Sequence, residues 1–438
     1  MRKCSLRRSQ WRLHAPAFAT VAVLAFVPGP LSHASAYTLK TLHTFCQQGS
    51  SCADGVLPQG LIMDSAGAVY GVTSEGGSSG YGTAFKLSVS GHKVTFARLH
   101  TFCVKVNCTD GADPQGLLVI DRDGQLYGTA FVGLYGYGVA FELSHASGHW
   151  RYTVLYNFCP QQTTCPDGEI PTTGLAYKGQ ASGQPWDETS PLFGTTSLGG
   201  AFGNGVVFEL QKSGSSWKET VIHSFKSSSA PNSLLVDSAG NIFGTNQTGG
   251  TNGRGLLYRL AAGTWTESTL HNFCDASNCT DGADPGGNIV VDGSGDLFGT
   301  TLGGGTGEAA CTGSPGTAAP CGVVFERSAG GSYSVLYDFC PASGCTDGAE
   351  PDDLVLDATG NLLGSTSQGG AGANGVVFGL TNNSGQWSQA VLHDFCTQAG
   401  CTDGYWPLGL LQDSVGDIWG VGQEGGKNNG HGTIFEMQ

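Results

Sequence analysis

The sequence predicts an all-β protein: a seven-bladed β-propeller with four antiparallel strands per blade, the last blade closed by the N-terminal strand. Three observations lead there. Turn formers abound, with 71 Gly and 17 Pro among 438 residues, while only 13% of residues are charged, against a usual fraction of roughly 25%. That composition excludes a helical bundle. The 39% hydrophobic and 10% aromatic content excludes disorder, so many short strands joined by glycine-rich turns fit best. A unit recurs seven times along the chain. The chain also enters on a lone fourth strand and leaves on a third, so its two ends can complete one blade.

Taken in chain order, residues 1–36 read as a signal peptide. Arg2, Lys3, Arg7, Arg8 and Arg12 form a basic start, Ala15 to Val27 an apolar run, and Ala34-Ser35-Ala36 a small-residue cleavage site. The run is too short for a permanent membrane anchor, and the residues after Arg7-Arg8 match a twin-arginine signal poorly. Losing this leader removes five of the 20 Lys and Arg and none of the 35 acids, leaving 15 against 35 and a net charge of −20. Such a chain repels a phosphate backbone and an anionic membrane surface. The expectation is a secreted or periplasmic monomer, with no nucleic-acid partner and no membrane insertion.

Residues 37–438 are expected to form a single propeller with repeats beginning near 38, 98, 153, 221, 269, 335 and 391. Each repeat opens on a tetrad, Leu/Ile-(His/Tyr)-x-Phe. The residue after it falls at Cys46, Cys103, Cys159, Lys226, Cys274, Cys340 and Cys396, in steps of 57, 56, 67, 48, 66 and 56 with a mean near 58. A coil of a β-helix is too short for that period, whereas a four-stranded blade with one long loop fits.

Repeat two shows the strand pattern. Gly116 to Ile120 is an apolar first strand, and Asp121 to Gly124 is a tight Asp-x-x-Gly turn that recurs at Asp64, Asp237, Asp292, Asp357 and Asp413. Leu126-Tyr127-Gly128-Thr129 is the second strand and Gly138 to Leu143 the third. The fourth starts near Trp150 and runs through Thr153 to Phe158. Trp150, Trp217, Trp265 and Trp387 hold one repeat position and are expected to pack between neighbouring blades. The chain starts with a fourth strand, Thr38 to Phe45, and ends with a third, Gly432 to Met437. Pairing them hides both edges.

Fourteen cysteines follow the leader as seven close pairs: Cys46/Cys52, Cys103/Cys108, Cys159/Cys165, Cys274/Cys279, Cys311/Cys321, Cys340/Cys345 and Cys396/Cys401. In an exported chain these are seven local disulfides. Zinc needs two close pairs that converge, and these recur far apart along the chain.

The run Gly-x-Leu-Tyr-Gly-Thr, then Gly-Gly, then Gly-x-Gly-x-x-Phe resembles the GloVer tandem repeat, named for Gloeobacter and Verrucomicrobia. Asn241 to Thr245 with Gly249-Gly250 carries it, as does Leu192 to Thr196 with Gly199-Gly200 and Gly203 to Phe208. The resemblance covers residues 38 to 438. It implies an exported bacterial propeller-like protein and brings no reaction or catalytic residues with it. Repeat two departs at Val132-Gly133, and repeat three replaces the Asp-x-x-Gly turn with an insertion, Gly179 to Ser190.

The candidate ligand- or cation-facing residues follow the cysteine pairs. They are the aspartates of the Asp-Gly turns, Asp54, Asp110, Asp167, Asp281, Asp347 and Asp403, and the second acids Asp113, Asp284 and Glu350. Hard cations such as Ca²⁺ take carboxylate and carbonyl oxygens, so Ca²⁺ is the one cofactor these turns suggest; turn chemistry alone also explains them. The histidines at the tetrad position, His43, His100, His223, His271 and His393, are expected to be half-buried hydrogen-bonding groups. Repeat four lacks the cysteines and Asp-Gly, and carries Arg254 and Arg259. The insertion from Gly304 to Cys321 is a candidate binding loop. No nucleophile elbow, phosphate loop, haem site or zincin helix appears, so no catalytic residue is singled out. The expected function is a secreted, disulfide-stapled binding or scaffold module for an extracellular glycan, peptide or envelope protein. The alternatives are a carbohydrate-active hydrolase or lyase using acids at the channel mouth, and a structural or adhesive surface protein.

Overall fold

The computed structural model describes residues 37–438 apart from 48–51, 162–163, 228, 308–320, 342–343 and 428–429. The expected leader, Cys311 and most of the Gly304–Cys321 insertion therefore lie outside the described residues. Seven antiparallel sheets follow one another along the chain, each a four-stranded meander except that the first strand of the third is split in two. In blade one the strands are Val56–Met63, Val69–Glu75, Thr83–Ser90 and Lys93–Thr101. The seventh sheet takes three strands from the C-terminus and its fourth, Leu39–Thr44, from the N-terminus. That strand pairs antiparallel with Thr433–Met437, from Leu39 opposite Met437 to Thr44 opposite Thr433. The expected ring closure is the observed one.

The tetrad explains how the blades pack. In every blade the pairing of third and fourth strands slips by one residue at the same place, between Ala84 and Phe85 in blade one and between Val207 and Phe208 in blade three. The bulged residue is the Leu or Ile of the tetrad, as Leu99 and Ile222 show. A bulge inserts one unpaired residue and re-aims the side chains beyond it. The Phe that ends the tetrad is thereby buried against the next blade, where it meets the aromatic ring of the third strand. Seven such pairs ring the molecule, among them Phe102–Phe141 at 5.2 Å, Phe158–Phe208 at 5.0 Å and Phe395–Phe435 at 5.2 Å. Each third-strand ring rests on the glycine of the second strand. A Cβ on Gly128 would lie 2.7 Å from Phe141 Cζ, so the Tyr-Gly-Thr motif has glycine there to make room, not to bend the chain. Deleting one such buried ring costs about 3–5 kcal/mol.

The tryptophans complete the interfaces. Trp150, Trp217, Trp265 and Trp387 each meet an aromatic of the preceding blade's second strand, Tyr70, Tyr127, Phe193 and Phe298, at 5.8 to 6.2 Å. The insertion in blade three is a wedge of the same kind. Its Trp186 is fully buried, its backbone N–H donates to Ile120 O at 2.9 Å, and its ring packs on Tyr127 at 4.9 Å and Trp217 at 5.9 Å.

Candidate functional site

In a meander of four strands, the turns joining strands one to two and three to four lie at one end. The loops joining two to three, and four to the next blade, lie at the other. The propeller thus has a turn face and a loop face, and the first strands line its axis. On the turn face each Asp-x-x-Gly aspartate accepts two backbone amides. Asp121 Oδ1 takes Asp123 N at 2.9 Å and Gln125 N at 2.8 Å, and its Oδ2 takes the Tyr127 hydroxyl at 3.0 Å.

The loop face is built from the disulfide loops. Six disulfides lie among the described residues: Cys46–Cys52, Cys103–Cys108, Cys159–Cys165, Cys274–Cys279, Cys340–Cys345 and Cys396–Cys401. The seventh expected pair, Cys311/Cys321, includes a residue outside the described ones. In five of these six loops the second cysteine's carbonyl holds the glycine-rich loop of the same blade, as Cys52 O accepts Gly77 N at 2.8 Å and Cys345 O accepts Gly370 N at 2.8 Å; Cys108 O instead accepts Gly111 N at 2.9 Å. The paired glycines there, such as Gly76-Gly77 and Gly369-Gly370, are both left-handed, a conformation two successive side chains would resist.

The six turn aspartates anchor these loops to the outer strands. Asp54 meets His43 Nε2 at 3.0 Å, Asp281 meets His271 Nε2 at 3.1 Å and Asp403 meets His393 Nε2 at 3.0 Å. Asp110 lies 3.7 Å from His100 Nε2. Where the tetrad has Tyr, the hydroxyl donates instead, from Tyr156 to Asp167 at 2.7 Å and from Tyr337 to Asp347 at 2.8 Å. Each of the six also accepts a backbone amide of its disulfide loop, as Asp54 does from Cys46 N at 3.0 Å and Asp110 from Val104 N at 3.1 Å. Blade four has no such aspartate; there His223 meets Glu267 at 3.3 Å. Three of these histidines stack flat on an aromatic of the next outer strand: His43 on Phe96, His100 on Tyr152 and His271 on Tyr333, at 3.6 to 4.1 Å. Burial holds His100 well below the usual imidazole value, at about 4, against the opposing pull of Asp110.

The second acids lie nearer the axis. A proline stands four residues after each turn aspartate, from Pro58 to Pro407, and the residue before it is left-handed: Leu57, Asp113, Ile170, Asp284, Glu350 and Trp406. The N–H of each donates to the loop of the preceding blade, as Asp113 N does to Tyr81 O at 3.0 Å and Asp284 N to Arg254 O at 2.8 Å. Six side chains of unlike chemistry thus stand on one repeated backbone at the channel mouth. The recurring Asp-Gly-x-x-Pro spacing was the sequence signal for this ring. Asp284 pairs with Arg254 at 3.1 Å, Asp113 accepts Gln115 Nε2 at 2.7 Å and Glu350 accepts Ser367 Oγ at 2.9 Å. Arg259 is on the third strand of blade four and donates to Asn241 Oδ1 at 2.8 Å. Deeper in the channel, burial raises the carboxyls of Asp352 and Asp353 in blade six; their neighbours include Gly287 N and Gly409 N, which donate to them. Among the described residues no three His, Cys, Asp or Glu side chains converge to hold a metal ion, and no helix is long and apolar enough to cross a membrane.

The loop face also carries an apolar arc. Seven large hydrophobic residues are exposed among the described residues, and six of them lie in loops, or at the strand end leading into one, of blades one to three: Tyr81, Val104, Val106, Leu134, Leu198 and Phe202. The seventh, Val415, is in a turn on the opposite face. Lys105 is the one exposed charge among the described residues of the segments 76–82, 103–111, 133–138 and 198–205 that carry the six.

Solved structures share this architecture. A streptogramin B lyase is 14% identical, with a TM-score of 0.53 covering 92% of this chain and 97% of that one. A catalytically inactive virginiamycin B lyase from Staphylococcus aureus, solved with quinupristin, matches with the same identity and TM-score over 92% and 99%. The extracellular domain of a protein from B. thetaiotaomicron described as a one-component system is 12% identical, with a TM-score of 0.53 over 92% of this chain and 40% of that one. At such identities the likeness is one of fold alone. No curated protein matches the chain. The model of the Gloeobacter/Verrucomicrobia repeat matches at residues 32–184, 178–314 and 311–438. With its seven blades and those three matches, the chain belongs to the Gloeobacter/Verrucomicrobia repeat family.

Proposed function

We propose that this protein is an exported recognition module that binds its partner with the loop face, chiefly through the apolar arc of blades one to three. The observation that carries this reading is the placing of six of the seven exposed large hydrophobics on that face. Scattered apolar residues need no explanation, whereas a grouped set on one face does. Four of the six are Val or Leu, which offer no ring for a sugar to stack on, so a peptide or protein segment with apolar side chains is favoured over a glycan. The arc is nearly free of charge on a strongly acidic chain, which favours a neutral or basic partner. Asp113, Asp284 and Glu350 at the mouth would supply the polar contacts, while the six turn aspartates keep the loops in place.

A peptide and glycan array probed with the mature protein tests this. The expected hits are apolar or basic peptides, and they should disappear with Val106→Asp combined with Phe202→Asp. Hits confined to glycans, or peptide hits untouched by those changes, would refute the assignment.

A second reading, a carbohydrate-active hydrolase or lyase, draws on the raised carboxyls of Asp352 and Asp353 in the axial channel. It predicts release of reducing sugar or unsaturated product from a polysaccharide panel, abolished by Asp352→Asn.

A further inference from the structure

The seven outer-rim interfaces differ at one pair of positions. One is the His or Tyr of the tetrad. The other is the residue of the next fourth strand that faces it. Three interfaces pair His with an aromatic, as at His100 and Tyr152, and one pairs His223 with Glu267 where the loop aspartate is missing. Between blades two and three the slot holds something else. Tyr156 replaces His, the loop aspartate Asp167 is present, and Glu219 takes the place that Tyr152 fills one interface earlier, opposite Leu210 as Tyr152 is opposite Leu143. Two carboxyls and no imidazole therefore share one slot.

The hydrogen bonds there are incomplete in a specific way. Asp167 Oδ2 accepts the Tyr156 hydroxyl at 2.7 Å and Cys159 N at 3.0 Å. Asp167 Oδ1 and Glu219 Oε1 are both buried without a partner. Two orphaned acceptors in one slot are costly unless a proton turns one of them into a donor. We propose that Glu219 is protonated in the folded protein and donates that proton to Asp167 Oδ1, so that a shared proton ties the outer strand of blade three to the Cys159–Cys165 loop.

The surroundings agree. The ionisable groups facing Glu219 are Asp167 from the disulfide loop, Tyr156 from the outer strand of blade two and Lys218 from its own strand. Burial first and Asp167 second push the Glu219 carboxyl up to about 8, with Lys218 opposing. A carboxyl raised on folding contributes stability that is full below its unfolded value of 4.5 and is lost as pH rises through about 8. Above that, two carboxylates repel in the slot and the tie opens. The device makes one disulfide loop of the recognition face responsive to alkaline pH, while His100 and His271, both lowered by burial, respond to acid.

Thermal unfolding of the intact chain between about pH 6 and about pH 9.5, below the ordinary range of tyrosine, tests this in wild type and Glu219→Gln. Gln keeps the donor and cannot ionise. The expected result is a melting midpoint that falls by several degrees in wild type across that range and stays level, or falls distinctly less, in the variant. Should the variant not fold, infrared spectroscopy of the wild type replaces it: a protonated-carboxyl band near neutral pH should fade as pH passes about 8, and it should persist in Asp352→Asn, which removes the other strongly raised carboxyl. Parallel melting curves for the two proteins, or no protonated-carboxyl band in Asp352→Asn, would overturn the proposal.

Discussion

The two faces of the ring are made from the same repeat and are built to different ends. On the turn face every Asp-x-x-Gly aspartate holds the backbone of its own turn. Asp121, Asp237, Asp292, Asp357 and Asp413 each accept the amides two and four residues on, and only in blade three does a longer insertion replace that turn. On the loop face the chain is longer, is closed by disulfides, and is tied to the outer strands by aspartate. What stands on that frame varies from blade to blade: Tyr81, Arg254 and Asn374 occupy one loop position, and Leu57, Asp113 and Trp406 one mouth position. A backbone held constant while its side chains change is suited to recognition, because ordering is settled before the partner arrives. A face that spends its polar groups internally is suited to holding the ring.

That contrast predicts graded effects. Phe158→Ala removes a fully buried ring packed between blades two and three, so it should cost the most, about 3–5 kcal/mol in denaturant unfolding, with loss of any loop-face binding. Replacing Cys103 and Cys108 together by Ala should cost less, about 2 kcal/mol for so short a loop, yet it should weaken loop-face binding by at least about tenfold, or 1.4 kcal/mol, because Val104 and Val106 lose their frame. Asp121→Ala should cost about 1–2 kcal/mol, since it removes the acceptor of two turn amides and of the buried Tyr127 hydroxyl, and should leave binding unchanged. An equal effect of the last two on binding would erase the distinction between the faces.

A smaller effect follows from acid. His100 is held neutral by burial, with a folded value of about 4 against 6.5 unfolded, so the unfolded chain takes up its proton first. Its contribution to stability is therefore full above about 6.5 and lost as pH falls towards about 4. His100→Phe, which keeps a ring for Tyr152, should melt less steeply on acidification and differ little at neutral pH. Equal acid sensitivity in both proteins would remove His100 as a cause. The smallest effect is expected of a chelator. The six turn aspartates already have internal donors, so the melting midpoint should not move; a drop of several degrees would show that a cation such as Ca²⁺ completes those turns.

Much of this was legible in the sequence because the fold repeats. The tetrad, the tryptophans and the cysteine pairs each recur at a fixed place, and recurrence reveals a packing role before any contact is seen. The ring closure followed from the phase of the first and last strands. Other features were hidden because they depend on a neighbouring blade. Nothing in Leu-His-x-Phe announces a bulge, and nothing near Trp186 says that its insertion wedges against Tyr127. The turn aspartates carried the right residue type for a ring at the channel mouth, but their bonds to His43, His271 and His393 turn them to the outer strands. The mouth belongs instead to the residues before the prolines. The apolar arc was invisible as well, since its six members lie on separate segments and only the packing of blade on blade sets blades one to three side by side.

The claim that the loop face does the recognising is tested most directly by a matched pair of surface changes. Val106 on the loop face is 82% exposed and Val415 on the turn face 80%, so Val106→Asp and Val415→Asp make the same chemical change at like exposure. Titrating a peptide selected by residues 37–438 against both variants should show affinity reduced at least about tenfold, or 1.4 kcal/mol, in Val106→Asp and kept in Val415→Asp. Equal affinities in the two, or a loss confined to Val415→Asp, would contradict the account.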